Sequence, residues 1–255
     1  MRTVITAGLV AAVLGVTVAP VRSAPMAAQI AQGDASAVRD RALSWYASGN
    51  SKFRRGDIAG ARRDLEGAIA AETQYFATLG RERRQGEASY FVQYLTLGGV
   101  TEYESASHAD ASKHWKIALT LYRTYLPVLN RRLASGDALL ADGRCASAFE
   151  SYSRTLGVLA PDIVPVLHAA AGGSWPEAQR RVADARGTTA GDLVRGMLAL
   201  CHARNRTTAQ ASFVAALSDY EPTTSETPNT GPLQASSIRL VLLAMEWGRG
   251  PVGGL

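Results

Sequence analysis

The residues of this sequence that could do chemistry are few and widely spaced. His108 and His114 lie near the start of a predicted helix, with Asp110 between them. Two histidines of one helix bind the same metal when they stand at positions i and i+4, because they then share a face. The wider spacing here places them on different faces. The sequence therefore predicts a solvated histidine pair, no metal site and no cofactor.

The motifs of common enzyme classes are missing from the sequence. It has no HExxH zinc motif, no glycine loop ending in Lys-Ser/Thr, no GxSxG elbow and no CxxC pair. Glu150, followed by Ser151, comes nearest to a general acid. It is expected on the outer side of a helix, whereas a general acid needs burial to raise its pKa. We therefore expect a protein without catalytic residues, and an unrecognised enzyme is the least favoured alternative.

Two cysteines, Cys145 and Cys201, could form a disulfide. A disulfide requires Cα atoms within about 7 Å of each other. The two residues fall in predicted helices that lie two repeat units apart in a stack. We therefore expect two free and inert thiols, which a thiol titration of the unfolded, unreduced protein would detect.

The elements that must position these residues are helices. From about Ala35 onwards apolar residues recur with helical spacing, strand patterns are nearly absent, and glycine and proline mark the turns. A surface loop is expected at 221–232 and a disordered tail at 248–255. The predicted helices span 36–54, 57–80, 86–106, 109–125, 127–142, 145–159, 161–171, 175–186, 189–204, 206–219 and 232–247.

Composition and charge narrow the classes of partner. Of 255 residues, 47% are hydrophobic and 19% charged, which is typical of a globular protein that buries a substantial core. The formal net charge is +5 without a basic stripe, so we expect no nucleic-acid partner. The basic run at 81–84, together with two further arginine pairs, is expected to be a solvated face. The alternative for this basic face is peripheral contact with an anionic envelope polymer or membrane.

An internal repeat of small and large residues organises the helical region. The first unit contains Trp45, Gly49, Gly56, Asp57, Ala61, Leu65 and Ala68. Later units repeat the pattern at Gly99, Tyr103, Ala111, Trp115 and Ala118, at Gly136, Leu140, Ala148 and Tyr152, at Gly173, Trp175, Ala178 and Val182, and at Ala209, Phe213 and Ala216. Small residues such as Gly49 and Ala61 let two helices cross closely. Over about 41–222 this pattern resembles the tetratricopeptide repeat family.

The resemblance implies an all-α fold, a right-handed α-α superhelix of about five irregular helix pairs spanning 35–247. The final helix is expected to cap the open end of the stack, as repeat proteins require. The aromatic residues of the repeat are expected in the core. These are Trp45, Trp115, Tyr152 and Phe213.

The resemblance also implies a non-catalytic module that binds a polypeptide in the groove lined by the first helix of each pair. Phe53 and Tyr103 could be either ligand-facing or core. A scaffold subunit of an envelope assembly is the alternative, favoured if Leu240–Leu243 and Met245 are exposed. The oligomeric state stays open. The groove residues projected from the family are Tyr46, Asn50, Phe53, Gln93, Thr96, Tyr103, Asn130, Asp137 and His202.

The first residues resemble an export signal. Arg2 precedes a run of small apolar residues from Thr3 to Val21, and no acidic residue occurs before Asp34. Residues 1–28 are therefore predicted to be a signal peptide, and the protein is expected to be periplasmic or secreted. The alternative is an uncleaved membrane anchor, since the run is about as long as the ~20 residues that a spanning helix needs.

Overall fold

A computed structural model describes residues 24–185, 187–218 and 230–246. Side chains of the first helix are described from Ala35 onwards, and that of Thr230 is left out. Almost all of the expected export segment, most of the expected surface loop and all of the expected tail lie outside the described residues. Within them, no residue forms a β-strand, and the all-α prediction is confirmed.

Twelve α-helices and one short 3-10 helix follow one another along the described chain. The bounds agree with the predicted ones to within a few residues, except that 127–142 forms two helices and the first helix begins earlier. They are α1 (Ala24–Arg54), α2 (Ile58–Thr78), α3 (Arg81–Glu104), α4 (His108–Tyr125), α5 (Pro127–Arg131), α6 (Ala134–Ala141), α7 (Cys145–Leu159), a 3-10 helix (Pro161–Ile163), α8 (Val164–Ala171), α9 (Trp175–Asp184), α10 (Thr189–Cys201), α11 (Arg206–Ser218) and α12 (Thr230–Glu246).

Local sequence explains where the helices begin and end. Asp57 caps α2, because its side chain accepts a hydrogen bond of 2.9 Å from the backbone N–H of Gly60. Gly56, just before it, has a φ of 79°, which glycine adopts without steric cost. Thr188 caps α10 in the same way through the N–H of Gly191. These turns bring consecutive helices back against each other.

Neighbouring helices pack where a glycine meets a large side chain. α1 packs on α2, α3 on α4, α6 on α7, α8 on α9, and α10 on α11. A Cβ at Gly99 would overlap the indole of Trp115, and a Cβ at Gly136 would lie 2.9 Å from the ring of Tyr152. Glycine is therefore required at both positions, because the helices approach too closely for any side chain.

Three of the four aromatic residues expected in the core are buried there, and one is exposed. Trp115, Tyr152 and Phe213 are fully buried, which confirms the prediction for these three. Trp45 is 39% exposed, so its prediction is wrong. Its ring lies over Gly67 of α2, with the other side towards solvent. Leu65, and not an aromatic ring, fills the close contact opposite Gly49 in this pair.

The position of α12 differs from the predicted end cap. A cap would contact only the last helices, whereas α12 packs against α4, α5 and α6 as well as α10 and α11. Side chains from Leu233 to Ala244 are almost all buried. The burial includes polar side chains, among them Gln234, Ser236 and Arg239. The exposure of Leu240–Leu243 that would have favoured a scaffold is therefore missing.

The prediction of two free thiols is also wrong. Cys145, the first residue of α7, and Cys201, the last residue of α10, form a disulfide with their Cα atoms 5.9 Å apart. The helices between them are short, with 8 residues in α8 and 10 in α9. The end of α10 thus lies beside the start of α7, and α10 also contacts the 3-10 helix that follows α7.

The histidine pair is only partly solvated. His108 is exposed, but His114 is half-buried and its Nδ1 has no hydrogen-bond partner in the described part of the chain. Burial, the largest cause, lowers the pKa of His114 below its ordinary value. Glu150 is exposed, as predicted, and forms an ion pair with Arg154. No described helix combines the length and apolar character needed to cross a membrane.

Candidate partner-binding face

Two of the projected groove residues contact the last helix of the same chain. Asp137 on α6 is 5% exposed and pairs with the guanidinium of Arg239 on α12. The Ser236 hydroxyl donates a hydrogen bond of 2.5 Å to Asp137 Oδ1, and the Tyr152 hydroxyl donates to the same oxygen. Arg239 Nη1 donates to Asn130 Oδ1 at 2.7 Å. We call these five residues the Asp137 node.

In the node, the buried carboxylate of Asp137 pairs with the buried guanidinium of Arg239 and accepts further hydrogen bonds from two hydroxyl groups. Removal of two charges from water is costly unless they pair closely and their remaining atoms are hydrogen-bonded. Burial raises the pKa of Tyr152 well above its ordinary value, with the Asp137 charge as a further cause. Tyr152 therefore stays a protonated hydrogen-bond donor. The geometry fixes both the position and the register of α12.

Further polar contacts hold α12 along its length. The Tyr122 hydroxyl donates to Gln234 Oε1 at 2.6 Å. Near the other end, Gln210 Nε2 donates to the backbone carbonyl of Ala244 at 2.9 Å, and Tyr103 donates to the side-chain carbonyl of that same glutamine at 3.3 Å. Tyr103, another projected groove residue, is thus linked to α12 through α11. α12 occupies this part of the face.

The projected residues of α1 and α3 lie elsewhere. Tyr46 of α1 stacks on Tyr94 of α3 with ring centroids 4.4 Å apart. Asn50 follows Tyr46 by one helical turn, Gln93 precedes Tyr94, and both are half-buried. α12 makes no extensive contact with either helix. We call Tyr46, Asn50, Gln93 and Tyr94 the α1–α3 patch.

A buried carboxylate lies beneath this patch. Glu72 of α2 is fully buried, and neither of its carboxylate oxygens has a hydrogen-bond partner among the described residues. The Tyr94 hydroxyl is likewise buried without a partner in the described ranges. Burial, followed by the neighbouring charge of Glu87, raises the pKa of Glu72 to about 7. Glu87 itself pairs with Arg39 of α1 at 2.9 Å.

The other projected residues have structural contacts. Phe53 and Tyr103, for which two roles were open, both pack against the core while partly exposed. The Thr96 hydroxyl is buried and donates to the carbonyl of Val92 at 2.7 Å within its own helix. His202 is exposed and stacks on Trp175 with ring centroids 5.1 Å apart. The nine residues therefore do not form one continuous face.

The expected basic face is divided in a similar way. Arg62 pairs with Glu66 and Glu102, and Arg84 donates to the carbonyls that end α2. Arg81 and Arg83 are exposed and, with Arg39, line a cleft of about 930 Å³ between α1 and the turn that joins α2 to α3. Only part of the basic run is available to a ligand.

The sequence analysis did not select the residues of α12 that belong to the node, and it did not select Glu72 or the residues around it. A signal for the node was present, since Arg239 interrupts the otherwise apolar run from Ile238 to Ala244. A charged residue in a fully buried helix requires a buried partner of opposite charge. No comparable signal marks Glu72. The sequence of α2 contains polar residues as any exposed helix does, and Glu72 is buried only because α1 and α3 pack over α2.

The described residues contain no group of three or more His, Cys, Asp or Glu side chains placed to hold a metal ion. Comparisons of the chain with protein-family models, with curated proteins and with solved structures find no match in any of the three. The candidate face therefore has to be interpreted from its own geometry.

Proposed function

We propose that the protein is a non-catalytic, tetratricopeptide-like module that binds a polypeptide partner on the α1–α3 patch. The observation that carries the proposal is the contact of Asn130 and Asp137 with α12. Both positions were projected from the groove of the family, and both contact a helix in this protein. We therefore infer that the projected groove residues of α1 and α3 contact a helix or an extended segment of another chain.

The chemistry of the patch suits a polypeptide. Asn50 and Gln93 offer both donors and acceptors to a peptide backbone, and the half-buried ring of Tyr46, which stacks on the fully buried Tyr94, offers apolar area next to them. The Asp137 node, in contrast, is filled from within the chain. We therefore place the partner on the first part of the molecule and exclude it from the part that α12 covers.

The helix pairing supports the tetratricopeptide-like assignment. The same sequence spacing separates the glycine from the large side chain in the contacts Gly49–Leu65, Gly99–Trp115 and Gly136–Tyr152. The sequence repeat thus coincides with a recurring contact between a glycine and a large side chain of the next helix. A stack of such pairs would give the superhelix, whose later groove α12 fills.

The disulfide supports export. Disulfides persist in secreted and periplasmic proteins and are rare in the reducing cytosol. Together with the signal-like first residues, the Cys145–Cys201 pair favours a protein that acts in the cell envelope or outside the cell.

A random 12-residue peptide library displayed on phage tests the binding proposal while the partner is still unidentified. We expect enriched peptides, and we expect the substitutions Asn50→Ala and Gln93→Ala together to weaken their binding at least tenfold. The matched control is Val158→Ala, which removes an exposed side chain of α7. Enriched peptides that bind both variants equally well, or a library that yields none, would contradict the proposal.

A second candidate partner is an anionic polymer, favoured by the cleft that Arg39, Arg81 and Arg83 line. Binding of poly-glutamate that weakens with added salt would support it. The double substitution Arg81→Gln and Arg83→Gln should abolish this binding, whereas Arg131→Gln, at an exposed position of α5, should not. Equal binding by the two variants would rule the cleft out.

A further inference from the structure

The junction of α1, α2 and α3 buries more negative than positive charge. Glu72 contributes a fully buried carboxyl from α2, and Glu87 contributes a second, nearly buried one from α3. Among the side chains of α1 that the structure describes, the charged group that faces them is Arg39, whose Nε donates to Glu87 Oε1. The other titratable groups that the described residues place at the junction are the hydroxyls of Tyr46, Tyr75, Tyr90 and Tyr94.

The cation of the junction serves only one of the two carboxyls directly. Arg39 makes its hydrogen bond and ion pair with Glu87 and is itself held over the rings of Tyr75 and Tyr90, at 5.9 Å and 5.6 Å from their centroids. The oxygens of Glu72 accept no hydrogen bond from any described residue. A charge on Glu72 would therefore be buried beside Glu87 without a donor of its own, which is unfavourable.

We propose that this junction is a pH-sensitive joint, in which protonated Glu72 lets the three helices pack closely and ionised Glu72 loosens α1 from α2 and α3. The packing around Glu72 is tight, since Ala42, Ala68, Ala71 and Tyr94 form a small buried cluster there. Such a cluster does not admit solvent to a carboxylate without separation of the helices. The pKa of about 7 for Glu72 places the change near neutral pH.

The joint has a consequence for binding, and this consequence rests on the proposed function. Tyr46 on α1 and Tyr94 on α3 face each other across the joint and belong to the α1–α3 patch. Loosening of α1 separates these rings and disrupts the patch. A polypeptide that binds there is therefore held more weakly above neutral pH than below it.

Hydrogen exchange of α1 at pH 5 and pH 8 tests the joint itself. After correction for the intrinsic rise of exchange with pH, opening of α1 should be about 100-fold more frequent at pH 8, because an exposed Glu72 ionises far more easily than a buried one. The variant Glu72→Gln should lose this difference. The matched control Glu150→Gln, at an exposed carboxylate, should keep it. An unchanged pH response in Glu72→Gln would overturn the proposal.

A carboxyl ¹³C NMR titration of the wild-type protein keeps the test decisive if Glu72→Gln does not fold. A midpoint for Glu72 near 7 supports the joint, and a midpoint near the ordinary 4.5 overturns it. Binding of a library-selected peptide at the two pH values then separates the proposals. If α1 loosens while binding stays constant, the partner does not use the patch, and the joint stands without the proposed function.

Discussion

Two buried carboxylates in this protein have opposite surroundings. Asp137 accepts hydrogen bonds from Tyr152, Ser236 and Arg239. Glu72 accepts none among the described residues, and Arg39, which lowers the pKa of Glu72 only slightly against the effect of burial, is paired with Glu87. The first arrangement holds α12 against α6. The second leaves the position of a helix dependent on a proton, which shows that burial of an acid can stabilise or weaken a contact according to its donors.

The largest effect should follow from breaking the Asp137 node. Asp137→Ala leaves Arg239 buried without its partner, and such a loss costs about 3–5 kcal/mol of unfolding free energy. Urea denaturation measures it. The double variant Asp137→Ala with Arg239→Ala should cost less than the sum of the two single variants, because it leaves no unpaired charge. Additive losses would mean that the ion pair is not coupled.

The disulfide should give the next largest effect, confined to the part of the chain that contains the node. It closes a segment with a sequence separation of 56, and such cross-links stabilise by about 2–4 kcal/mol. The double variant Cys145→Ser with Cys201→Ser should lose that amount in urea denaturation. Exchange protection of α1 and α2 should stay unchanged, since neither contacts the cross-link. Equal loss of protection at both ends would show that the two regions unfold as one.

The pH dependence of stability should follow from the raised pKa of Glu72. The stability that the folded protein gains from keeping Glu72 protonated is fully present below a pH of about 4.5, and it is lost as pH rises through about 7. The loss amounts to up to about 3 kcal/mol. His114, whose pKa is lowered, acts in the opposite direction, because its contribution is present above its ordinary value of 6.5 and is lost as pH falls.

The difference between wild type and Glu72→Gln isolates the Glu72 contribution, because His114 is common to both proteins. Unfolding free energies at several pH values between 4 and 8.5 should diverge as pH rises. Parallel curves for the two proteins would assign the pH dependence to other groups.

Much of the fold followed from local pattern, and the site did not. The helix bounds and the repeat of small and large residues were visible within a few turns of sequence, whereas the contacts of Gly99 with Trp115 and of Gly136 with Tyr152 were not predicted. The disulfide and the position of α12 depend on where distant helices meet, which no local period encodes. The end-cap prediction failed because it followed chain order, whereas α12 packs back on helices from the middle of the chain.

The candidate site was predicted in the same uneven way. Asn130 and Asp137 were predicted to bind a polypeptide partner, whereas in the structure both contact α12 of the same chain. Asn50 and Gln93 stay predictions. Glu72 was not selected at all, because its raised pKa comes from burial without a donor among the described residues, and a sequence does not show which donors a fold will bring near.

Two matched amide substitutions test the central comparison most directly. Asp137→Asn and Glu72→Gln each replace a buried carboxyl by its neutral counterpart, and urea denaturation at pH 8 gives both unfolding free energies in one buffer. We expect opposite signs: Asp137→Asn destabilises the protein because Arg239 loses its counter-charge, and Glu72→Gln stabilises it because the side chain at position 72 no longer carries a buried charge. Destabilisation by both substitutions to a similar extent would contradict this expectation.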